Sequence, residues 1–116
     1  MRFLLLPLLL AAGPALSDPA RIVGAEATQA SGGWRFDVTL EHGDTGWDDY
    51  ADGWRVELSD GTVIGTRELT HPHVAEQPFT RTLSAVAVPE GTGTVHIRAR
   101  TSQTGWDSMT VPLSLP

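Results

Sequence analysis

The chain of 116 residues contains no cysteine and no lysine; its eight basic residues are all arginine. Without cysteine these residues offer no disulfide staple, thiolate metal site, cysteine nucleophile or thiol for a bacterial lipid anchor. Basic charge is scarce: 14 acids outweigh 8 bases, for a formal net charge of −6. That balance argues against sequence-independent nucleic-acid binding and against anionic membranes, both of which need a basic surface. Helical patterning is missing too, since apolar residues nowhere recur at a period of about 3.6 over four turns. Nor is there a Gly-x-Ser-x-Gly elbow or a lysine base, so the expectation is a protein that is not an enzyme. A carboxylate pair such as Asp49 and Glu76 is the weak alternative to that expectation. What stands out against these absences is four tryptophans.

The one long apolar run follows Met1-Arg2, from Phe3 to Ala12, and leads to Ala15-Leu16-Ser17. One positive charge, about ten apolar residues and small residues at the −3 and −1 positions predict a secretory signal peptide over 1–17, cut before Asp18. A bilayer-spanning helix needs about 20 such residues, so no membrane span is expected after cleavage. The implied destination is the periplasm or the medium. The mature chain, 18–116, is long enough for one domain, and its seven arginines against 14 acids make it more acidic still.

Period-2 alternation runs through that domain. The first strand places Val23, Ala25 and Ala27 on one face. The second places Trp34, Phe36, Val38 and Leu40 on one side and Arg35, Asp37, Thr39 and Glu41 on the other. In the third, Trp54, Val56 and Leu58 alternate with Arg55, Glu57 and Ser59, and Asp60-Gly61 predicts a two-residue hairpin. A fourth strand over 62–70 carries Gly65 and suits an edge. The fifth turns Leu83, Val86 and Val88 inward, with a bulge near Ala85. The sixth buries Val95, Ile97 and Ala99, and the seventh aligns Met109, Val111, Leu113 and Leu115. Seven short antiparallel strands, each with one apolar face, imply a two-sheet β-sandwich; a small β-barrel is the alternative.

Followed up and down, the chain gathers its longer loops, 43–52, 71–78 and 101–108, at one pole and tight glycine turns at the other. Binding usually resides on such loops. Trp34 and Trp54 lie in phase with the core. Trp47 and Trp106 lie in loops, each inside a Thr-Gly-Trp-Asp tetrapeptide. With Tyr50 and Asp107 they form a candidate aromatic platform for a ligand or partner, or else a cap over the core. The loop acids Asp44, Asp48, Asp49 and Asp52 suggest calcium by number but not by spacing, and aspartates commonly make local turns. His71 and His73, at i and i+2 in an extended segment, lie roughly 6.5–7 Å apart at Cα. With Glu76, and with His42 from the same pole, they form a candidate zinc or copper set, or a loop held by histidine hydrogen bonds.

Two resemblances follow from quoted segments. The stretch from Thr82 to Thr92, followed by Val95-His96-Ile97-Arg98-Ala99, resembles the fifth and sixth strands of fibronectin type III domains and implies an immunoglobulin-like sandwich. That family's tyrosine at the corner between those strands is absent here. The blocks 47–52 (Trp-Asp-Asp-Tyr-Ala-Asp), 60–67 (Asp-Gly-Thr-Val-Ile-Gly-Thr-Arg) and 71–81, opening His71-Pro72-His73-Val74, resemble a group of small uncharacterised proteins exported by proteobacteria. That resemblance implies export and supplies no catalytic residue. Together these observations favour an exported, non-catalytic binding or interaction module, with a periplasmic metal-binding protein as the alternative.

Overall fold

A computed structural model describes residues 18–116; the leader assigned to 1–17 lies outside the described residues. Alternating apolar residues generate eight strands: β1 (Arg21–Ala30), β2 (Gly33–Glu41), β3 (Ala51–Glu57), β4 (Val63–Glu68), β5 (Phe79–Val86), β6 (Thr94–Thr101), β7 (Gly105–Trp106) and β8 (Val111–Ser114). All pairings are antiparallel. One sheet runs β1-β2-β5; the other runs β4-β3-β6, with β7 and β8 in succession along β6. The sheets do not join into a ring, so the fold is an all-β sandwich and the barrel alternative falls away.

The core follows the period-2 pattern most closely on central strands. Phe36, Leu40, Trp54, Val56, Val95 and Ile97 are all fully buried. Trp34 packs against this cluster from its rim. The turn into β2 depends on Gly33, whose φ of +127° would strain any side chain and whose Cβ would stand 2.9 Å from the Val86 carbonyl oxygen. The expected bulge is present: Ala85 has a φ of +59°, and the β2–β5 register slips between Trp34 and Phe36.

Four expectations need correction. The β1–β2 register slips at Val23, so phase reverses there: Ile22, Ala25 and Ala27 pack inward while Val23 is exposed. The hairpin after β3 spans Ser59-Asp60-Gly61, three residues rather than two. Gly61 N–H donates to Leu58 O (2.9 Å), Leu58 N–H donates to Thr62 O (2.8 Å), and Gly61 has a φ of +92°. A type I turn closed by a left-handed glycine gives that loop. The last strand is split, because the β6 register shifts by two residues between Trp106 and Val111. Met109 and Val111 are exposed, leaving Leu113 and Leu115 against the core. Finally, Glu57 is buried on the outer sheet face rather than exposed.

Candidate functional site

The loops that follow β2 and β4 meet around a single carboxylate, that of Asp44. Its Oδ1 accepts from Ala51 N–H (3.0 Å) and bonds His42 Nδ1 (2.6 Å); its Oδ2 accepts from His73 N–H (2.8 Å). Three partners on three segments compensate a side chain with no exposed surface. His42 Nε2 faces the Asp18 carbonyl at 3.0 Å, which ties the N-terminal segment to the same centre. Gln77 staples the strand end to the distal loop, accepting from His42 N–H (3.0 Å) and donating to His73 O (2.9 Å).

His73 is buried, with its ring stacked on Phe79 at 3.9 Å and beside His71 at 4.5 Å. Arg81 Nη2 donates to its Nε2 at 2.8 Å, which leaves the proton on Nδ1, buried without a partner. Burial foremost, then the Arg81 guanidinium and His71, hold the His73 imidazole below its ordinary value, against weaker pulls from Glu76 and Asp44. Nε2 of His73 is thus occupied by a guanidinium. Glu76 also pairs with Arg81, at 3.3 Å, and His42 is held by Asp44 and Asp18. Among the described residues no group of three His, Cys, Asp or Glu side chains is placed to hold a metal ion. His71, His73, Glu76 and His42 therefore act in this structure as parts of a hydrogen-bonded clasp, and the loop acids form no calcium cage.

The other loops build a presented tip. Asp49 N–H donates to Gly46 O (3.2 Å) and Thr45 N–H to Asp49 O (3.0 Å), so Trp47 and Asp48 occupy the centre of a tight turn. Trp47 is 66% exposed and meets Tyr50 edge to face, with centroids 5.6 Å apart and planes at 75°. The turn is anchored from behind by the loop after β6. Gln103 Nε2 donates to Asp48 O, Ser102 N–H donates to Tyr50 O (2.9 Å), and Tyr50 N–H donates to Ser102 Oγ (3.1 Å).

Trp106 and Asp107 stand elsewhere. Trp106 lies on the outer face of the larger sheet, paired with Arg100 in register. The Arg55 guanidinium sits 4.1 Å from its ring centroid and that of Arg100 5.5 Å away. Beside it Arg98 clamps Glu57 with two bonds (2.6 and 3.1 Å), and Arg55 adds a third at 2.7 Å. Those bonds, Arg98 first, hold the Glu57 carboxyl below its ordinary value despite burial. Asp107 serves the local backbone: its Oδ1 accepts from Met109 N–H and its carbonyl accepts from Arg98. The two Thr-Gly-Trp-Asp segments are thus not one platform, and among the expected residues only Trp47 and Tyr50 form an aromatic pair at the tip. Sequence reading passed over Asp44, Gln77, Arg81, Ser102 and Gln103 as a unit. It also passed over the Arg55–Glu57–Arg98 cluster, although i, i+2 spacing on β3 and β6 puts those charges on one face.

No protein-family profile and no solved structure matches this chain. A protein of the haloarchaeon Halomicrobium mukohataei, named "Putative lipoprotein", is 44% identical over 84 residues, which cover 70% of this chain and 41% of that protein. The chain thus spans about two fifths of that relative's length. The relative is haloarchaeal and lends no support to the proteobacterial group expected from the blocks quoted above.

Proposed function

We propose that this chain is an exported, non-catalytic β-sandwich that binds a partner or ligand through the pole of loops 43–52, 71–78 and 101–108, with Trp47 and Tyr50 making the contact. The observation that carries the proposal is Trp47, two-thirds exposed on a turn whose backbone is fixed by other loops. Burying a large apolar side chain is worth about 1.5–3 kcal/mol, and this molecule leaves its indole in water. A rigid aromatic of that kind loses little entropy when it docks.

Export to the periplasm or the medium is supported by the leader-like run and by the name of the haloarchaeal relative. A non-catalytic role is supported by the Ser59–His96 contact. It is 3.3 Å long and exposed, and the second ring nitrogen faces Thr110 Oγ1 at 3.5 Å, where nucleophilic machinery places a carboxylate.

The test is site-specific photo-crosslinking in the exported protein, with a benzophenone amino acid at position 47 and, as control, at exposed position 26. A discrete adduct at 47 and none at 26 is expected. Trp47→Ala should leave the thermal midpoint within about 3 °C of wild type, as an exposed substitution does. A fall of about 10 °C or more without any adduct would show that Trp47 is only a structural cap.

A further inference from the structure

The turn 46–49 and its supporting loop present an unusual balance of recognition chemistry. Its backbone acceptors are already engaged: Gly46 O by Asp49 N–H, Asp49 O by Thr45 N–H, Tyr50 O by Ser102 N–H, and Asp48 O by Gln103 and Ser102. The Asp44 carboxylate is committed to His42, Ala51 and His73. What is left to a ligand is two aromatic planes set at 75°, 5.6 Å apart, beside the negative charge of Asp48 and Asp49. Among the described residues no salt bridge engages Asp48, and Asp49 meets only His42, at 3.7 Å. A sugar or a primary ammonium needs directed hydrogen bonds, for which this corner offers chiefly the Asp48 carboxylate, whereas the paired rings are the larger part of what it presents. A methylated cation needs no such bond; it is held by ring quadrupoles and by undirected charge attraction.

We infer that the Trp47–Tyr50 corner, with Asp48 and Asp49 supplying charge, binds a quaternary ammonium group, an inference that rests on the pole being the binding end. Two rings and a partly screened carboxylate give weak monovalent affinity, with a dissociation constant on the order of 1–50 mM for the bare cation. The group occurs both on free solutes and on phosphatidylcholine headgroups, and the same chemistry serves both.

The experiment follows the Trp47 indole N–H by NMR in the full chain, its cross-peak assigned by its loss in Trp47→Leu. Choline chloride is titrated at constant ionic strength against 3,3-dimethylbutanol, which has the same shape without the charge. A saturable shift with choline, little with the alcohol, and an affinity about threefold weaker in Asp48→Asn are expected. Tyr50 resonances should move with choline in wild type and stay still in Trp47→Leu, whose unchanged thermal midpoint certifies its fold. Sedimentation with phosphatidylcholine vesicles then assigns the source: retention that free choline competes away points to headgroups, and choline binding without retention points to solutes. Equal responses to choline and the alcohol, or no saturation with choline by about 200 mM, well above the expected range, would overturn the inference. A photo-adduct at position 47 alongside such a result leaves the binding pole standing and removes only its ligand class.

Discussion

Four aspartates occupy one loop, and nothing in their local sequence separates the one that organises the pole from the others. Asp60 and Asp107 do what aspartates in loops commonly do, bonding the backbone two residues on. Asp44 instead reaches His73, 29 positions away, and is buried with three donors around it. Removing it strands those donors in the interior. Asp44→Ala should therefore cost about 3–5 kcal/mol in urea denaturation, whereas Asp48→Ala should stay within about 0.5 kcal/mol. Equal effects would mean that the clasp contributes nothing beyond an ordinary loop. Glu57 teaches the same lesson from a strand. Alternation assigned it correctly to the outer face, but its burial depends on Arg98, which comes from a strand 41 positions on.

At the scale of elements, the central strands were legible and the outer ones were not. β2, β3 and β6 each have neighbours on both sides, so their apolar residues stay inward even where pairing slips, as between Trp34 and Phe36. β1 and β8 pair on one side only, which lets a bulge at Val23 and a two-residue slip before Val111 invert or displace their faces. The loop 71–78 carries its own pH signature. Folding lowers the pKa of His73 from about 6.5, so the unfolded chain takes up that proton first. This contribution to stability is complete above pH 6.5 and is lost as pH falls from there toward the folded value. The groups facing the ring are Arg81 from β5, His71 and Glu76 from its own loop, and Asp44 from the loop after β2. Wild type should lose thermal stability between pH 7.5 and 5, and His73→Phe, which keeps the stacking on Phe79, should show a smaller loss. The Glu57 contribution is present above pH 4.5 and lost below it, so its loss begins at lower pH than that of His73. Identical pH profiles for wild type and His73→Phe would assign the loss to other groups.

For the molecule as a whole, the absence of cysteine means that two sheets are held by packing alone. Trp54 is the largest fully buried side chain, and Trp54→Ala should cost about 3–5 kcal/mol against a total of about 5–15. That variant should be largely unfolded or strongly shifted in circular dichroism melts at 37 °C, while Trp47→Ala melts like wild type. The contrast separates the tryptophans the sequence had already sorted: alternation alone put Trp34 and Trp54 with the core and Trp47 outside it. The sandwich class, the edge position of β4 and the pole where long loops collect were likewise determined by sequence, because period and turn chemistry are local. Only the tertiary structure decided that Trp106 lies under Arg55 and Arg100 rather than beside Trp47, and that His73 Nε2 takes a bond from Arg81. Arg55 comes from β3, far from Trp106 in the chain, and sheet register, which no local pattern encodes, sets that meeting, while Arg81 reaches His73 because the loop folds back onto β5.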